Sequence, residues 1–224
     1  MTERHTSGGT AAPSPITTRR VSRMWPLVSS AVALLLITVS GVLLAARHAA
    51  PSIDTEWMGE MLEYRTPLGE VPALIMNFLG GGWFAVVVVP IVVIGALCLA
   101  SRWKAAIFFG TSIAASAILV QVLKQLLGRA RPLDKLVQID TGSFPSGHVA
   151  NAATMAAVMC IIFWRTWVWL TGAAYTLLMM LSRTYLGVHW LTDTIGGLML
   201  GVAVAIMVWA PLADRLRREA EHLR

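Results

Sequence analysis

Three short clusters hold the polar side chains of this chain that could do chemistry together. Each cluster interrupts an otherwise apolar pattern, and each contains a cationic or imidazole side chain. In chain order they are Lys124 with Arg131 and Pro132, the run from Phe144 through Pro145, Ser146 and Gly147 to His148, and Ser182-Arg183 with His189 and Asp193. Their residue types indicate binding of an anion and chemistry on it.

The cations of the first and third clusters indicate a phosphate site. Lys124 and Arg131 are seven residues apart, which is about two helical turns, so both can face one way at the end of a helix that Pro132 stops. Arg183 adds a third positive charge. Converging cations require an anionic partner, and phosphate suits both ammonium and guanidinium groups.

The second cluster is predicted to open a helix. Free N–H groups at a helix N-terminus attract anions, and Gly147 permits close approach of the backbone. The hydroxyl of Ser146 can add a further hydrogen-bond donor. Ser146 and Gly147 are therefore candidate phosphate ligands.

The third cluster pairs a histidine with a carboxylate. His189 and Asp193 are spaced i, i+4, so they can touch on one face of a helix. The carboxylate would fix the imidazole tautomer and stabilise its charged form, making His189 a candidate nucleophile toward phosphorus. His148 is then available to donate a proton to the departing oxygen.

Each cluster also has a structural alternative. The cations could snorkel at the end of a membrane span, and the second cluster could be a helix cap. His189 could be a polar contact between helices, and His148, His189 and Asp193 could together ligate a metal. Arg129 and Lys135 are interpreted as ordinary charges of the outer surface. The coincidence of three clusters at predicted span ends favours a functional site, because charges at membrane depth are costly.

The elements that position these clusters are predicted to be membrane spans. The 224 residues are 56% hydrophobic and 13% charged, with a mean hydropathy of +0.67. Soluble domains carry about 25% charged residues. The net charge of +6 is spread between apolar runs, which argues against a nucleic-acid surface.

The apolar runs predict an all-α integral membrane protein, a bundle of six transmembrane helices over 25–211. Residues 1–24 are predicted to be a disordered cytoplasmic tail, and 212–224 a charged cytoplasmic tail. The first run is too long for the core of a signal peptide, which was the competing interpretation. The six apolar runs are 27–46, 71–100, 105–123, 149–164, 166–182 and 190–210.

Two segments need special geometry. The run 71–100 exceeds the roughly 20 residues of one straight span, so a bend is expected at Gly80, Gly81 and Gly82 or at Pro90. The segment 47–70 has apolar residues at helical spacing with Asp54 among the charges between them. It is either an amphipathic helix on the membrane surface or a solvated loop.

The charge distribution predicts the orientation. With six spans, eleven of the 18 Lys and Arg residues fall on the side of the two tails. The positive-inside rule then places both termini in the cytoplasm and the three clusters on the extracytoplasmic side.

The three clusters resemble the signature of the type 2 phosphatidic acid phosphatase superfamily, K-x6-RP, PSGH and SR-x5-H-x3-D. Every fixed position of that signature is present here in order, over roughly residues 120–200. The surrounding sequence is most similar to small bacterial membrane enzymes acting on undecaprenyl diphosphate or phosphatidylglycerophosphate. The likeness implies a bacterial inner-membrane location and a helical bundle that needs no metal and no cofactor.

The resemblance also implies a role for each site residue. His189 would attack phosphorus while Asp193 orients it, and His148 would protonate the leaving group and then activate water. The phosphoryl oxygens would be held by Lys124, Arg131, Arg183, Ser146 and the backbone N–H of Gly147.

The expected function is hydrolysis of a phosphate or diphosphate from a lipid in the outer leaflet. The partners are then the lipid substrate and the bilayer, with no nucleic acid, and the oligomeric state is left open. A lipid-linked phosphotransferase would use the same site, so it remains an alternative. A six-span transporter or scaffold is a second alternative, although transporters usually place polar groups at the membrane midplane.

Overall fold

The structure is a computed structural model that describes the backbone of residues 15–47, 49–139 and 141–223, and side chains from residue 24 onward. Within these ranges every regular secondary-structure element is a helix, as the apolar runs predict. The eight α-helices are α1 (Pro15–Ala45), α2 (Ser52–Glu63), α3 (Pro67–Gly80), α4 (Val89–Leu99), α5 (Trp103–Leu127), α6 (Gly147–Phe163), α7 (Thr166–Tyr185) and α8 (Leu191–His222).

Helix α6 lies at the centre of the bundle and packs against α5, α7 and α8. Helix α1 lies along α8, and α3 lies along α7. The core between α5, α6 and α8 is built from residues such as Phe108, Phe109 and Val158, none of which has exposed surface. The connections from α6 to α7 and from α7 to α8 are short, and the longer loop from α5 to α6 folds back on the end of α5, where Lys124 donates to the carbonyl of Gly142. The end of α5, the start of α6, the end of α7 and the start of α8 therefore meet at one end of the bundle.

Helix α5 ends earlier than the sequence predicts. Gly128 adopts a left-handed conformation with φ 56°, and its N–H donates to the carbonyl of Lys124 at 3.1 Å. Glycine has no Cβ penalty there and ends helices readily. Arg131 and Pro132 therefore lie in the following loop, and the expectation that Lys124 and Arg131 share one helical face was wrong.

The predicted bend in the second apolar run is confirmed at the glycines. Helix α3 ends at Gly80, and a π-helical turn over Phe84–Val88 leads into α4. The axes of the two apolar stretches on either side of the break differ by 42°. The bend brings the end of α3 against α6 and α7, toward the polar end of the bundle.

Fewer helices than the six predicted spans satisfy length and composition for crossing a membrane. Three do so alone within the described residues: Met24–Ala45, Trp103–Leu127 and Leu191–His222. The bent pair Pro67–Gly80 and Phe84–Leu99 qualifies as a fourth when taken together. Helix α6 is apolar but has only 17 residues. The chain is a membrane protein on these observations.

Helices α1 and α8 both extend into the predicted tails. Residues 1–14 lie outside the described residues, and α1 begins at Pro15, inside the predicted N-terminal tail. Helix α8 continues through the predicted boundary at residue 212 as far as His222. Of the two interpretations of 47–70, the helix is the one that α2 supports.

Candidate active site

The three sequence clusters meet at one end of the bundle around a single cavity of about 590 Å³. We call it the site cavity. Its polar wall contains Lys124, Arg131, Gly147, His148 and His189. The remaining predicted site residues, Ser146, Arg183 and Asp193, are buried directly behind these side chains.

Lys124 and Arg131 are tied to the loop that connects α5 and α6. The ammonium of Lys124 donates to the carbonyl of Gly142 at 2.6 Å, and Arg131 donates to the same carbonyl at 3.1 Å and to that of Thr141 at 2.9 Å. Arg131 also donates to the carbonyl of Val188, and its Nη1 lies 3.3 Å from Nε2 of His189. The two cations that sequence spacing paired are therefore brought together by a loop.

Arg183 sits at the C-terminal end of α7 with none of its surface exposed. Its Nη1 donates to Oδ1 of Asn77 at 2.8 Å, and its Nη2 donates to Oγ of Ser182 at 2.9 Å. Asn77 belongs to α3 and was missed by sequence reasoning, since a lone amide in an apolar run carries no signature. Its oxygen fixes the plane of the guanidinium.

Ser146 is the N-cap of α6, as its cluster predicts, and its N–H donates to the carbonyl of Asp193 at 3.0 Å. Its buried hydroxyl has no hydrogen-bond partner among the described residues, and neither do Nε of Arg183 and Nδ2 of Asn151. Asn151 lies one turn beyond His148 and lines the site cavity. Buried donors without partners are rare and indicate a missing acceptor, which a phosphate would supply.

His189 and Asp193 are in contact, although His189 precedes α8 and does not lie on it. The imidazole Nδ1 is 3.5 Å from Oδ2 of Asp193, which also accepts a hydrogen bond from the N–H of Trp190 at 2.9 Å. Burial lowers the pKa of His189 to about 4, against the opposing effect of the Asp193 carboxylate. The ring is therefore neutral at pH 7 and can act as a nucleophile.

The interpretation of Arg129 as an ordinary surface charge was wrong. Its side chain is 4% exposed, and it donates to Oδ1 of Asp193 at 2.5 Å and to Oδ2 of Asp54 at 2.7 Å. Asp54, on α2, has no exposed surface. Sequence spacing cannot find this contact, because Asp54 and Arg129 are 75 positions apart. Lys135 contacts the carbonyl of Ile139 at 3.3 Å and takes no part in the contacts between Arg129 and the two carboxylates.

The glycines at the end of α3 form the wall behind His148. A Cβ on Gly81 would collide with Nε2 of the His148 ring, and one on Gly80 would lie 3.3 Å from its Cδ2. The sequence singled out these residues only as a bend. Their second consequence is that the imidazole can pack directly against backbone.

The described residues contain no group of three or more His, Cys, Asp or Glu side chains that could hold a metal ion. The charge available to an anion in the site cavity instead comes from lysine and arginine. What the arrangement offers is a neutral histidine backed by a carboxylate, a second imidazole, and cations with unpartnered donors around them.

The sequence is similar to a known family and to named phosphatases. The sequence model of the PAP2 superfamily matches residues 105–217, which include all three clusters. Phosphatidylglycerophosphatase B of Bacillus subtilis (strain 168) is 31% identical over 180 residues, covering 73% of this chain and 80% of that protein. An undecaprenyl-diphosphatase of Sulfolobus acidocaldarius is 37% identical over 65 residues, covering 29% of this chain and 31% of that protein.

Two solved structures share the fold. The crystal structure of a transmembrane PAP2 type phosphatidylglycerolphosphate phosphatase from Bacillus subtilis superimposes with a TM-score of 0.67 at 26% identity, covering 86% of this chain and 97% of that one. Aquifex aeolicus LpxE superimposes with a TM-score of 0.63 at 24% identity, covering 70% of this chain and 95% of that one. The chain therefore belongs to the PAP2 superfamily, as a lipid phosphatase of the membrane.

Proposed function

We propose that this enzyme hydrolyses phosphatidylglycerophosphate or undecaprenyl diphosphate through a phosphohistidine formed on His189. The observation that carries the proposal is the position of His189, neutral and buried, beside Lys124 and Arg131 in one cavity. A neutral imidazole is a competent nucleophile, and the cations stabilise the charge that a phosphoryl group presents to it.

The phosphoryl oxygens would be held by Lys124, Arg131, Arg183, the hydroxyl of Ser146 and the N–H of Gly147. The buried Ser146 hydroxyl and the Nε of Arg183 have no other partner among the described residues, so phosphate would complete their hydrogen bonds. Three cations can neutralise a phosphate dianion, and they leave one positive charge for the transition state.

In the first step, Nε2 of His189 would attack phosphorus while Asp193 holds the Nδ1–H. The phosphorus–nitrogen bond forms as the bond to the lipid oxygen breaks. His148, which would be protonated once the phosphate dianion offsets the cations around it, gives its proton to that oxygen. In the second step, the now neutral His148 takes a proton from water. The resulting hydroxide attacks phosphorus, the phosphorus–nitrogen bond breaks, and inorganic phosphate leaves.

A lipid substrate is supported by the apolar wall of the site cavity. Val86, Ile118 and Val122 line the cavity and are also exposed or half-exposed on the lipid-facing side of the bundle, so a lipid chain could follow them out. The described relatives act on lipid phosphates according to their names, phosphatidylglycerophosphatase and undecaprenyl-diphosphatase.

We also propose the finer topology: six spans over 25–211, cytoplasmic tails, and the site cavity on the extracytoplasmic side of a bacterial inner membrane. Helices α6 and α7 and the bent pair α3–α4 would supply the spans beyond α1, α5 and α8. Reporter fusions should place residues 1–24, the turn at Arg102 and the C-terminal tail in the cytoplasm. A cytoplasmic position for the 133–143 loop would overturn this orientation.

The enzymatic test is phosphate release by purified enzyme from a panel of lipid phosphates in mixed micelles, compared with glucose 6-phosphate. We expect a much higher kcat/KM for the lipids, an acid-labile phosphoenzyme with radiolabelled substrate, and activity that survives EDTA. A preference for the soluble ester would overturn the lipid assignment. Phosphate transfer that requires a second acceptor would favour the transferase alternative.

A further inference from the structure

A buried chain of charged groups connects α2 to His189. Asp54 of α2 contacts Arg129, Arg129 contacts Asp193, and Asp193 contacts His189, at 2.7, 2.5 and 3.5 Å between the nearest atoms. Each of these four side chains is at most 4% exposed. Asp54 lies outside the three sequence clusters, Arg129 occupies one of the unspecified positions of K-x6-RP, and nothing in the mechanism above uses either residue.

The hydrogen bonds of Asp193 show why this series of four charged side chains affects the reaction. One carboxylate oxygen, Oδ1, accepts from Arg129, and the other, Oδ2, faces the Nδ1 of His189. Arg129 therefore holds the carboxylate on the side opposite to the imidazole, while the N–H of Trp190 holds Oδ2 at 2.9 Å. A group that orients the partner of a nucleophile controls the tautomer and direction of the ring.

Asp54 in turn fixes Arg129 through a closed set of bonds. Its Oδ2 accepts from Arg129 and from the hydroxyl of Thr192 at 2.7 Å, and its Oδ1 accepts from the N–H of Thr192 at 2.9 Å. Arg129 also donates to the Thr192 hydroxyl at 2.8 Å. With both ends held, the guanidinium has one position between the two carboxylates.

We propose that Asp54 and Arg129 are positioning residues that set the orientation and the proton affinity of the Asp193–His189 pair. The proposal rests on His189 being the nucleophile, as argued under Proposed function. Its consequence is that helix α2, outside the family signature, is part of the machinery of the site.

The two residues have opposite charges, so their removal should move the pH dependence in opposite directions. The groups facing His189 are Lys124, Arg131, His148 and Asp193, and these stay unchanged. Loss of the Arg129 cation stabilises the imidazolium and raises the pKa of His189. Loss of the Asp54 carboxylate lowers it. Activity requires the neutral ring, so the acid limb of kcat/KM follows this pKa.

The experiment compares Arg129→Gln, Asp54→Asn and the double variant with wild type, using the purified enzyme and one lipid phosphate. We expect kcat to fall by about 10- to 100-fold in each single variant with KM changed by less than about threefold. The acid limb should move to higher pH in Arg129→Gln, to lower pH in Asp54→Asn, and back toward wild type in the double variant.

Two milder variants guard against a loss of folding. Arg129→Lys keeps the charge and loses the bridge, so kcat should fall without a shift of the acid limb. Thr192→Val removes the hydroxyl that joins Arg129 to Asp54 and should behave in the same way. Glu219→Gln is the matched control, because Glu219 is a carboxylate of similar burial at the opposite end, 8% exposed.

Identical acid limbs in all variants, or a wild-type kcat per folded molecule, would overturn the proposal and leave Asp54 and Arg129 as structural groups only. A result at His189 would instead show that the proposed mechanism is wrong. If His189→Ala retains turnover, the phosphohistidine mechanism is wrong, whatever the Arg129 and Asp54 variants do. The two failures are therefore distinguishable in one series of measurements.

Discussion

Both ends of the bundle bury charged groups, but they differ in how many of the buried polar groups have hydrogen-bond partners. At the end opposite the site cavity, Glu219 accepts from the N–H groups of Lys104 and Ala105 at 2.7 and 3.0 Å, which caps α5. Arg102 there lies 5.1 Å from the ring of Phe163 and donates to a carbonyl, with one nitrogen, Nε, left without a partner.

At the site cavity, several donors lack partners at once. The hydroxyl of Ser146, Nε of Arg183 and Nδ2 of Asn151 are all buried and unpaired among the described residues. Buried charge is thus common to both ends, and burial alone does not mark a site. The difference lies in number and convergence: among the described residues three unpaired donors lie at or behind the wall of the site cavity, against Nε of Arg102 at the opposite end.

The largest effect expected from this comparison is at the nucleophile. His189→Ala should lower turnover by more than about a thousandfold while the protein stays folded, because the reacting atom itself is lost. Phosphate release and phosphoenzyme trapping measure it. His222→Ala, an exposed histidine at the end of α8, is the control and should retain full activity.

A smaller effect is expected where backbone packs against His148. Gly81→Ala would drive a methyl group into the imidazole, so kcat should fall by about 10- to 100-fold as the ring is displaced. Substrates with good leaving groups should be rescued in part, since they depend less on the proton donor. Gly95→Ala, where a Cβ meets nothing within 4 Å, is the matched control. Equal loss on good and poor leaving groups would contradict this role of His148.

The next effect concerns the support of Arg183. Asn77→Ala removes the acceptor that holds the guanidinium at 2.8 Å, and we expect about a tenfold loss in kcat/KM. Asn77→Asp keeps an acceptor and should retain more activity. Steady-state kinetics on a lipid phosphate measure this loss in kcat/KM. An unchanged kcat/KM in Asn77→Ala would show that Arg183 holds its position without α3.

The smallest effect on activity is expected at the opposite end. Glu219→Gln weakens two charge-assisted hydrogen bonds, so it should cost about 1 to 2 kcal/mol of stability and leave kcat unchanged. Thermal unfolding in detergent micelles and a phosphate-release assay check both parts. A large fall in kcat per folded molecule would remove the distinction between the two ends of the bundle.

The sequence alone determined the membrane character, the helical class and the family signature. Apolar runs separated by charges specify helices in a bilayer, since no other open structure satisfies its backbone there. The fixed spacing of the three clusters was enough to indicate phosphate chemistry, and the structure brings these clusters to one cavity. The length of the second apolar run also predicted a bend at the glycines or at Pro90, and the structure has it at the glycines.

Only the tertiary structure decided what supports those residues. Asp54 and Asn77 reach Arg129 and Arg183 across 75 and 106 positions of chain, and a buried polar contact at that separation leaves no periodic pattern. The sequence predicted a surface charge at Arg129, because an arginine in a loop between two apolar runs is usually exposed. Its burial follows from helices α2 and α8 closing over it, and that packing is a property of the folded bundle.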